Sequence, residues 1–151
     1  MPHTPDVDRR KSRMAVLARC DAAEMRKSWN ALALDPAVTL LRGPETGLVM
    51  LRGRIGGTGG EFNFGEATVT RATVKLENGA VGHSLALGRD KVRAKLSAVI
   101  DAMCQDETMA ARIDRAMIAP LREALEQRDS RRQTETAATR VDFFTMVRGE
   151  D

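Results

Sequence analysis

The chain has 151 residues, 30% of them charged, and no apolar run approaches the ~20 residues of a bilayer span, so the expectation is one soluble domain with no membrane contact. Aromatics make up only 3%, with no Tyr and one Trp, so aliphatic side chains and eight Met must fill the core. A net charge of +3 permits an anionic ligand, but the basic–aromatic interleaving of a nucleic-acid binder is missing and no nucleic-acid partner is expected.

The polar start, through Lys11, lacks the apolar core of a signal peptide, and Cys20 and Cys104 stand far apart, as reduced thiols of a cytoplasmic protein do. Residues 1–10 read as a flexible arm. A helical pattern follows from Asp8 to Arg19, with Met14, Leu17 and Ala18 on one side. Asp21, followed three residues later by Glu24, opens a second helix in the manner of a capping box. Met25, Trp29 and Leu32 form its stripe, and Asp35-Pro36 ends it. Val38 to Leu41 suggests a short strand, and Gly43 to Gly47 a turn into the next strand, Leu48 to Ile55. In that strand Val49, Leu51 and Ile55 are expected to face inward and Arg52 and Arg54 outward.

The centre of the pattern is Asn78-Gly79. It separates two alternating runs, Thr68 to Leu76 and Ala80 to Leu87, which predicts a hairpin closed by a type I′ turn. A two-residue turn sets Leu76 opposite Val81, Val74 opposite His83, Ala72 opposite Leu85 and Thr70 opposite Leu87, all on one apolar face. The other face then carries Arg71 and Lys75, joined by Arg52 and Arg54 from a neighbouring strand.

Beyond the hairpin, Asp90 is a plausible N-cap for a helix whose apolar stripe is Val92, Leu96, Val99, Ile100 and Met103. A further helical pattern holds Met109, Ile113 and Met117, until Pro120 interrupts it and starts a new helix. From Arg122 to Thr139 the chain is polar but for Leu125, which suits a solvated connector or a segment held by a partner. The fold class is α+β: an antiparallel sheet with N-terminal and C-terminal helices packed on one face, then an extended tail over 140–151.

No self-contained catalytic constellation is visible. The run Gly56 to Gly60 matches neither phosphate-loop pattern and reads as an inter-strand turn. His3 and His83 lack metal-ligand neighbours, so no metal site is expected, and His83 on the apolar face suits a hydrogen-bonded core residue. Arg89 precedes a helix N-terminus, where free N–H groups attract anions, although Asp90 can satisfy those groups instead. Arg71 and Lys75, with Arg89, are the anion-binding candidates, against the alternative of an ordinary wet sheet face.

The tail is the most distinctive stretch. Five of the seven residues from Val141 to Val147 are apolar, namely Val141, Phe143, Phe144, Met146 and Val147. Adjacent Phe side chains of an extended segment point to opposite sides, so one core cannot bury both. With Arg148 these residues are the candidates for partner binding, the alternative being a final strand on the chain's own sheet.

The ending Arg140-Val-Asp-Phe-Phe-Thr-Met-Val-Arg-Gly149 resembles the terminal signature of the PhnG family, the G subunit of the bacterial carbon–phosphorus lyase system. Glu45-Thr-Gly-Leu-Val49, Gly56-Gly-Thr-Gly59, the Ala67 to Ala72 strand and Leu87-Gly-Arg-Asp-Lys91 resemble the family in the same order and spacing. The resemblance implies a part of an enzyme: a subunit assembled with the H, I and J subunits, the I subunit most directly. With H, I and an ATPase-like L subunit, it is needed to displace adenine from ATP by an organophosphonate, giving a ribose 1-phosphonate 5-triphosphate. The iron–sulfur cluster and S-adenosylmethionine are implied for the J subunit, with no cofactor in this chain, whose two distant Cys cannot hold a four-Cys cluster. Two roles stay open: a structural subunit with no catalytic residue of its own, or one that supplies Arg71 or Arg89 to a shared site.

Overall fold

A computed structural model describes residues 5–54 and 59–138. In chain order the elements are α1 (Pro5–Arg19), α2 (Ala22–Ala31), β1 (Val38–Arg54), β2 (Glu61–Leu76), β3 (Val81–Leu87), α3 (Lys91–Met103), α4 (Glu107–Ile113), a π-helical turn (Asp114–Ile118) and α5 (Ala119–Ala138). The strands form one antiparallel sheet in the order β1-β2-β3, and helices cover one of its faces, as the α+β reading expects. Residues 5–10, expected in the arm, are instead the first turns of α1.

Short polar residues set the helix starts. Asp21 Oδ1 accepts the backbone N–H groups of Ala23 and Glu24 at 2.8 and 3.0 Å, Asp90 accepts that of Arg93, and Asp106 that of Met109. Those backbone donors hold the Asp21 carboxyl below its ordinary pKa.

Helix α3 is the middle layer. Its small residues Ala94, Ala98 and Ala102 fall four apart and press on Ala72, Val74 and Leu76 of β2. Ile100 and Cys104, on the other side, join a second cluster with Leu17, Met25, Ile113, Met117 and Leu121. Val92, expected in the buried stripe, is 61% exposed, because the face of α3 turned to the sheet is the alanine row. The approach of β3 is closer still. A Cβ on Gly82 would lie 2.0 Å from the carbonyl oxygen of Ala98 and 2.5 Å from the nitrogen of Ala102. Next to it, His83 donates its backbone N–H to Asp101 Oδ2 at 2.9 Å, and Arg10 grips the same buried carboxylate with two bonds of 2.8 and 2.7 Å. Asp101 therefore ties α1, α3 and the edge strand β3 together.

The hairpin corrects the expected register by one residue. Ala72 pairs with Ser84, Val74 with Gly82 and Lys75 with Val81. Leu76 and Ala80 close the loop: Leu76 donates to the Ala80 carbonyl at 2.9 Å, and Gly79 to the Leu76 carbonyl at 3.0 Å. The connection is Glu77-Asn78-Gly79, with positive φ at Gly79 (+90°) and not at Asn78, whose side chain accepts from the Ala80 N–H. This is a turn followed by a left-handed glycine, the geometry of a three-residue loop, and not a type I′ turn. One residue of slip reverses every β3 side chain. Gly82, Ser84 and Ala86 face α3, whereas His83, Leu85 and Leu87 are exposed.

Val38 to Leu41 and Leu48 to Ile55, expected as separate strands around a turn, belong to one strand, β1. Gly43-Pro44 is a bulge in it, opposite Ala72, so that Arg42 pairs with Thr73 and Glu45 with Arg71. The helix expected to start at Pro120 is α5, which begins at Ala119. The π-helical turn joins α4 to α5, with Ala119 donating to the Asp114 carbonyl, and the proline sits in the first turn of α5 where its missing N–H is tolerated. The polar reach of α5 buries only Leu121 and Leu125.

Both thiols are core residues. Burial raises the pKa of Cys20 and pushes that of Cys104 from 9.0 up to about 12, so neither is a nucleophile at neutral pH.

Two tests follow from this packing. Gly82→Ala should cost at least about 2 kcal/mol in urea unfolding, because backbone atoms of α3 must move. Gly79→Ala, with open space around it, should cost about 1–2 kcal/mol from its left-handed backbone alone. Equal and small effects would overturn the close approach of β3 to α3. The raised Cys104 pKa gives the second. The thiol stays neutral when folded and ionises above pH 9 when unfolded, so stability should fall as pH rises from 9 toward 12. The slope should reach about 1.4 kcal/mol per pH unit and flatten in Cys104→Ala.

Candidate interaction surface

The long strands β1 and β2 run past the rest of the sheet. β3 ends at Leu87, opposite Val69, yet β1 and β2 remain paired from Gly47 with Val69 to Arg54 with Glu61. Beyond the pair of Gly47 and Val69, the seven residues Leu48 to Arg54 of β1 at about 3.3 Å each make a two-stranded arm roughly 23 Å long.

The composition of the arm is unusual for solvated structure. Leu48 is 64% exposed, Met50 58%, Phe64 59% and Phe62 42%. Pairing assigns their faces. Thr46 meets Thr70 on the helix side, with hydroxyls 3.0 Å apart, so Leu48 and Met50 continue the helix-side face beyond the helices. Val49 and Leu51 pair with Ala67 and Gly65, on the opposite face, which Arg71 shares. A β2 bulge between Gly65 and Asn63 then brings Phe64 over Gly53, where a Cβ would meet its ring at 3.0 Å. Phe62 lies beside it, the ring centroids 6.2 Å apart. The arm is thus apolar on both faces. A two-stranded hairpin is only marginally stable in water, and exposed apolar surface of this extent marks an interaction site.

This corrects the expected orientation of that strand. Val49 and Leu51 lie away from the helices, and by the alternation of β1 the side chains of Arg52 and Arg54 lie on the face opposite to them. The expected basic face is therefore divided, and its charges are matched. Arg52 and Arg54 both reach Glu61, at 3.1 and 2.9 Å, while Arg71 bonds Glu45 at 2.6 Å. Lys75 is exposed four residues further along β2. Arg89 is exposed beside Asp90, which caps α3 and bonds Arg26 at 3.4 Å. The structure does not bring Arg71, Lys75 and Arg89 together on one element, since they lie on β2 and on the turn into α3.

His83, expected in the core, is exposed on the outer face, its Nδ1 3.2 Å from the Thr73 hydroxyl. Among the described residues no group of His, Cys, Asp and Glu could hold a metal ion, and no helix is long and apolar enough to cross a membrane. Ile55, residues 56–58 of the glycine run, His3 and the tail from Val141 to Arg148 lie outside the described residues. Phe62 and Phe64 fall outside the expected strands Leu48 to Ile55 and Thr68 to Leu76, so the arm was hidden from sequence reasoning. The alternation of Phe62, Phe64 and Glu66 with Asn63 and Gly65 was the available sign.

Comparison with known proteins agrees with this part-like surface. The family model described as "Phosphonate metabolism protein PhnG" matches residues 8–149. A protein of Rhizobium meliloti (strain 1021), "Alpha-D-ribose 1-methylphosphonate 5-triphosphate synthase subunit PhnG", is 52% identical over 145 residues, covering 96% of this chain and 92% of that protein. The motifs spread along the chain and the match over nearly its whole length place it in the PhnG family of phosphonate metabolism proteins.

Proposed function

We propose that this chain is a non-autonomous subunit of a synthase that transfers ribose triphosphate from ATP to an organophosphonate with release of adenine, and that it docks its partners through the β1–β2 arm. The observation that carries the reading is the arm itself. It is a ribbon without a third strand, with Leu48 and Met50 exposed on one face and Phe62 and Phe64 on the other. The relative's name supports the assembly, since that protein is a synthase subunit. The partners are the H, I and J subunits of a carbon–phosphorus lyase core complex, with I the direct one and ATP as substrate of the whole. The iron–sulfur cluster and S-adenosylmethionine belong to the J subunit.

Two further features support a mainly structural role. The ion pair with Glu45 leaves Arg71 neutralised before any substrate arrives, which weighs against its acting as a phosphate ligand. The end of α5, exposed from Ser130 to Ala138, leads toward the apolar tail, a second docking segment with Phe143 and Phe144 as anchors.

Co-expression with the I subunit tests the arm. Leu48→Asp combined with Phe64→Asp should leave the melting temperature of the isolated chain almost unchanged, since exposed positions usually move stability by no more than about 0.5 kcal/mol. The same variant should weaken co-purification by at least about tenfold, because each site would place a charge in an apolar interface. A variant that assembles and supports turnover as the parent does would overturn the docking role. Truncation before Val141 should likewise keep the melting transition while weakening assembly. A truncated chain that aggregates alone would show the tail to be part of this domain's own core.

A further inference from the structure

A groove of about 590 Å3 lies between α1 and the helices that follow α3, lined by no residue of the arm. One wall is a stripe of α1, Arg9, Ser12 and Arg13, at spacings of three and four that share a helix face. The other wall comes from the π-helical turn and α5, with Asp114, Arg115 and Arg122.

The charges here have unequal roles. Arg13 is buried and forks onto Asp114, with bonds of 2.7 and 3.1 Å, so these two neutralise each other and brace the groove. Arg122 is held by a neutral acceptor, the Ser12 hydroxyl at 2.9 Å, and so is positioned with its charge intact. Arg9 and Arg115 are exposed and have no carboxylate partner among the described residues. Against these three cations the lining offers the single further carboxylate of Asp8. The same wall contains the π-helical turn, in which Ala119 donates to the Asp114 carbonyl. Such turns sacrifice regular hydrogen bonding and concentrate at functional sites. This one carries Asp114 toward Arg13 while leaving Arg115 and Arg122 along the groove.

We infer that this groove binds a short polyphosphate chain, gripped by Arg9 on one wall and by Arg115 and Arg122 on the other. Guanidinium groups match phosphoryl oxygens in bidentate geometry, and a concave surface with excess positive charge concentrates anions. Arg122 reaches across from α5 to Ser12 on the α1 wall, so guanidinium groups from both walls line one cleft, and linked phosphoryl groups can engage more of them than a single one can. The inference stands apart from the docking role, because it uses neither the arm nor the tail.

The test is calorimetric titration of the full chain at low ionic strength with inorganic tripolyphosphate, pyrophosphate and orthophosphate. Tripolyphosphate should bind at least about tenfold more tightly than orthophosphate. Arg9→Gln with Arg115→Gln should weaken it by about tenfold or more while leaving the ligand-free melting temperature unchanged. Arg131→Gln with Arg132→Gln, which removes the same charge from the exposed end of α5, should bind as the parent does. Equal weakening in both double variants would reduce the effect to net charge and overturn the site, as would the absence of any preference for the longer chain. The arm variant should bind tripolyphosphate normally and the groove variant should co-purify normally, so either reading can fail alone. If the groove variant loses co-purification and the parent chain binds no polyphosphate, the groove is a contact for an acidic partner surface and the anion site is wrong.

Discussion

The contact between β3 and α3 at Gly82 governs the geometry of the whole domain. With no side chain there, the strand settles against the helix backbone, and the alanine row of α3 lies flat on β2. The buried carboxylate of Asp101 then sits within reach of the His83 N–H, which would otherwise be an unpaired donor on an edge strand. Breaking one member of such an arrangement leaves the others desolvated without partners, which is why the strand, α3 and α1 behave as a unit. The second apolar cluster is built on the opposite side of the same helix, through Ile100 and Cys104. One helix serving two cores explains how a chain with few aromatics closes a stable interior: small residues bring backbones together on one side, and Met and Ile fill the other.

Much of this was legible in the residues. Asp21 and Asp90 each lie before a helix and each cap it, because a short carboxylate reaches free N–H groups that nothing else in the segment can satisfy; Asp106, which the sequence reading passed over, caps α4 in the same way. The α3 stripe was read correctly at Val99 and Ile100 and wrongly at Val92, since hydrophobic periodicity cannot tell a leucine-like face from an alanine face meant for close contact. The hairpin was visible, but its register was not. Asn-Gly suits both a two-residue type I′ turn and a three-residue loop ending in a left-handed glycine, and the two differ by one position. That single position decided the place of His83, Leu85 and Leu87, and every error on β3 descends from it. A glycine facing Val74 was the hint, because inward alternation of Gly82, Ser84 and Ala86 looks weak until the helix is known to be close.

The arm escaped for a different reason. Sequence patterns are read as buried against exposed within one chain, and a ribbon apolar on both faces satisfies neither half of that scheme. No third strand covers it among the described residues, so periodicity within the chain carries little of the signal. The expected basic face failed for a related cause, as charges were counted along strands without their cross-strand partners. Glu45 and Glu61 stand opposite those arginines, and only the pairing of β1 with β2 brings them there.

The tip of the arm shows how such a surface is kept usable before assembly. An unpaired ribbon exposes strand edges on both sides, and a long greasy edge invites pairing with other copies. Arg52, Arg54 and Glu61 place three charges at the end of the ribbon, where exposed ion pairs contribute little to stability but keep a flat apolar end from stacking. The β2 bulge beside Phe64 bends the same stretch and interrupts regular edge pairing. Leu48, Met50, Phe62 and Phe64 thereby stay exposed on the two faces of a ribbon whose end is charged and bent. Arg52 and Arg54 share the one Glu61, so the tip keeps a net positive charge that opposes the tip-to-tip approach of a second copy.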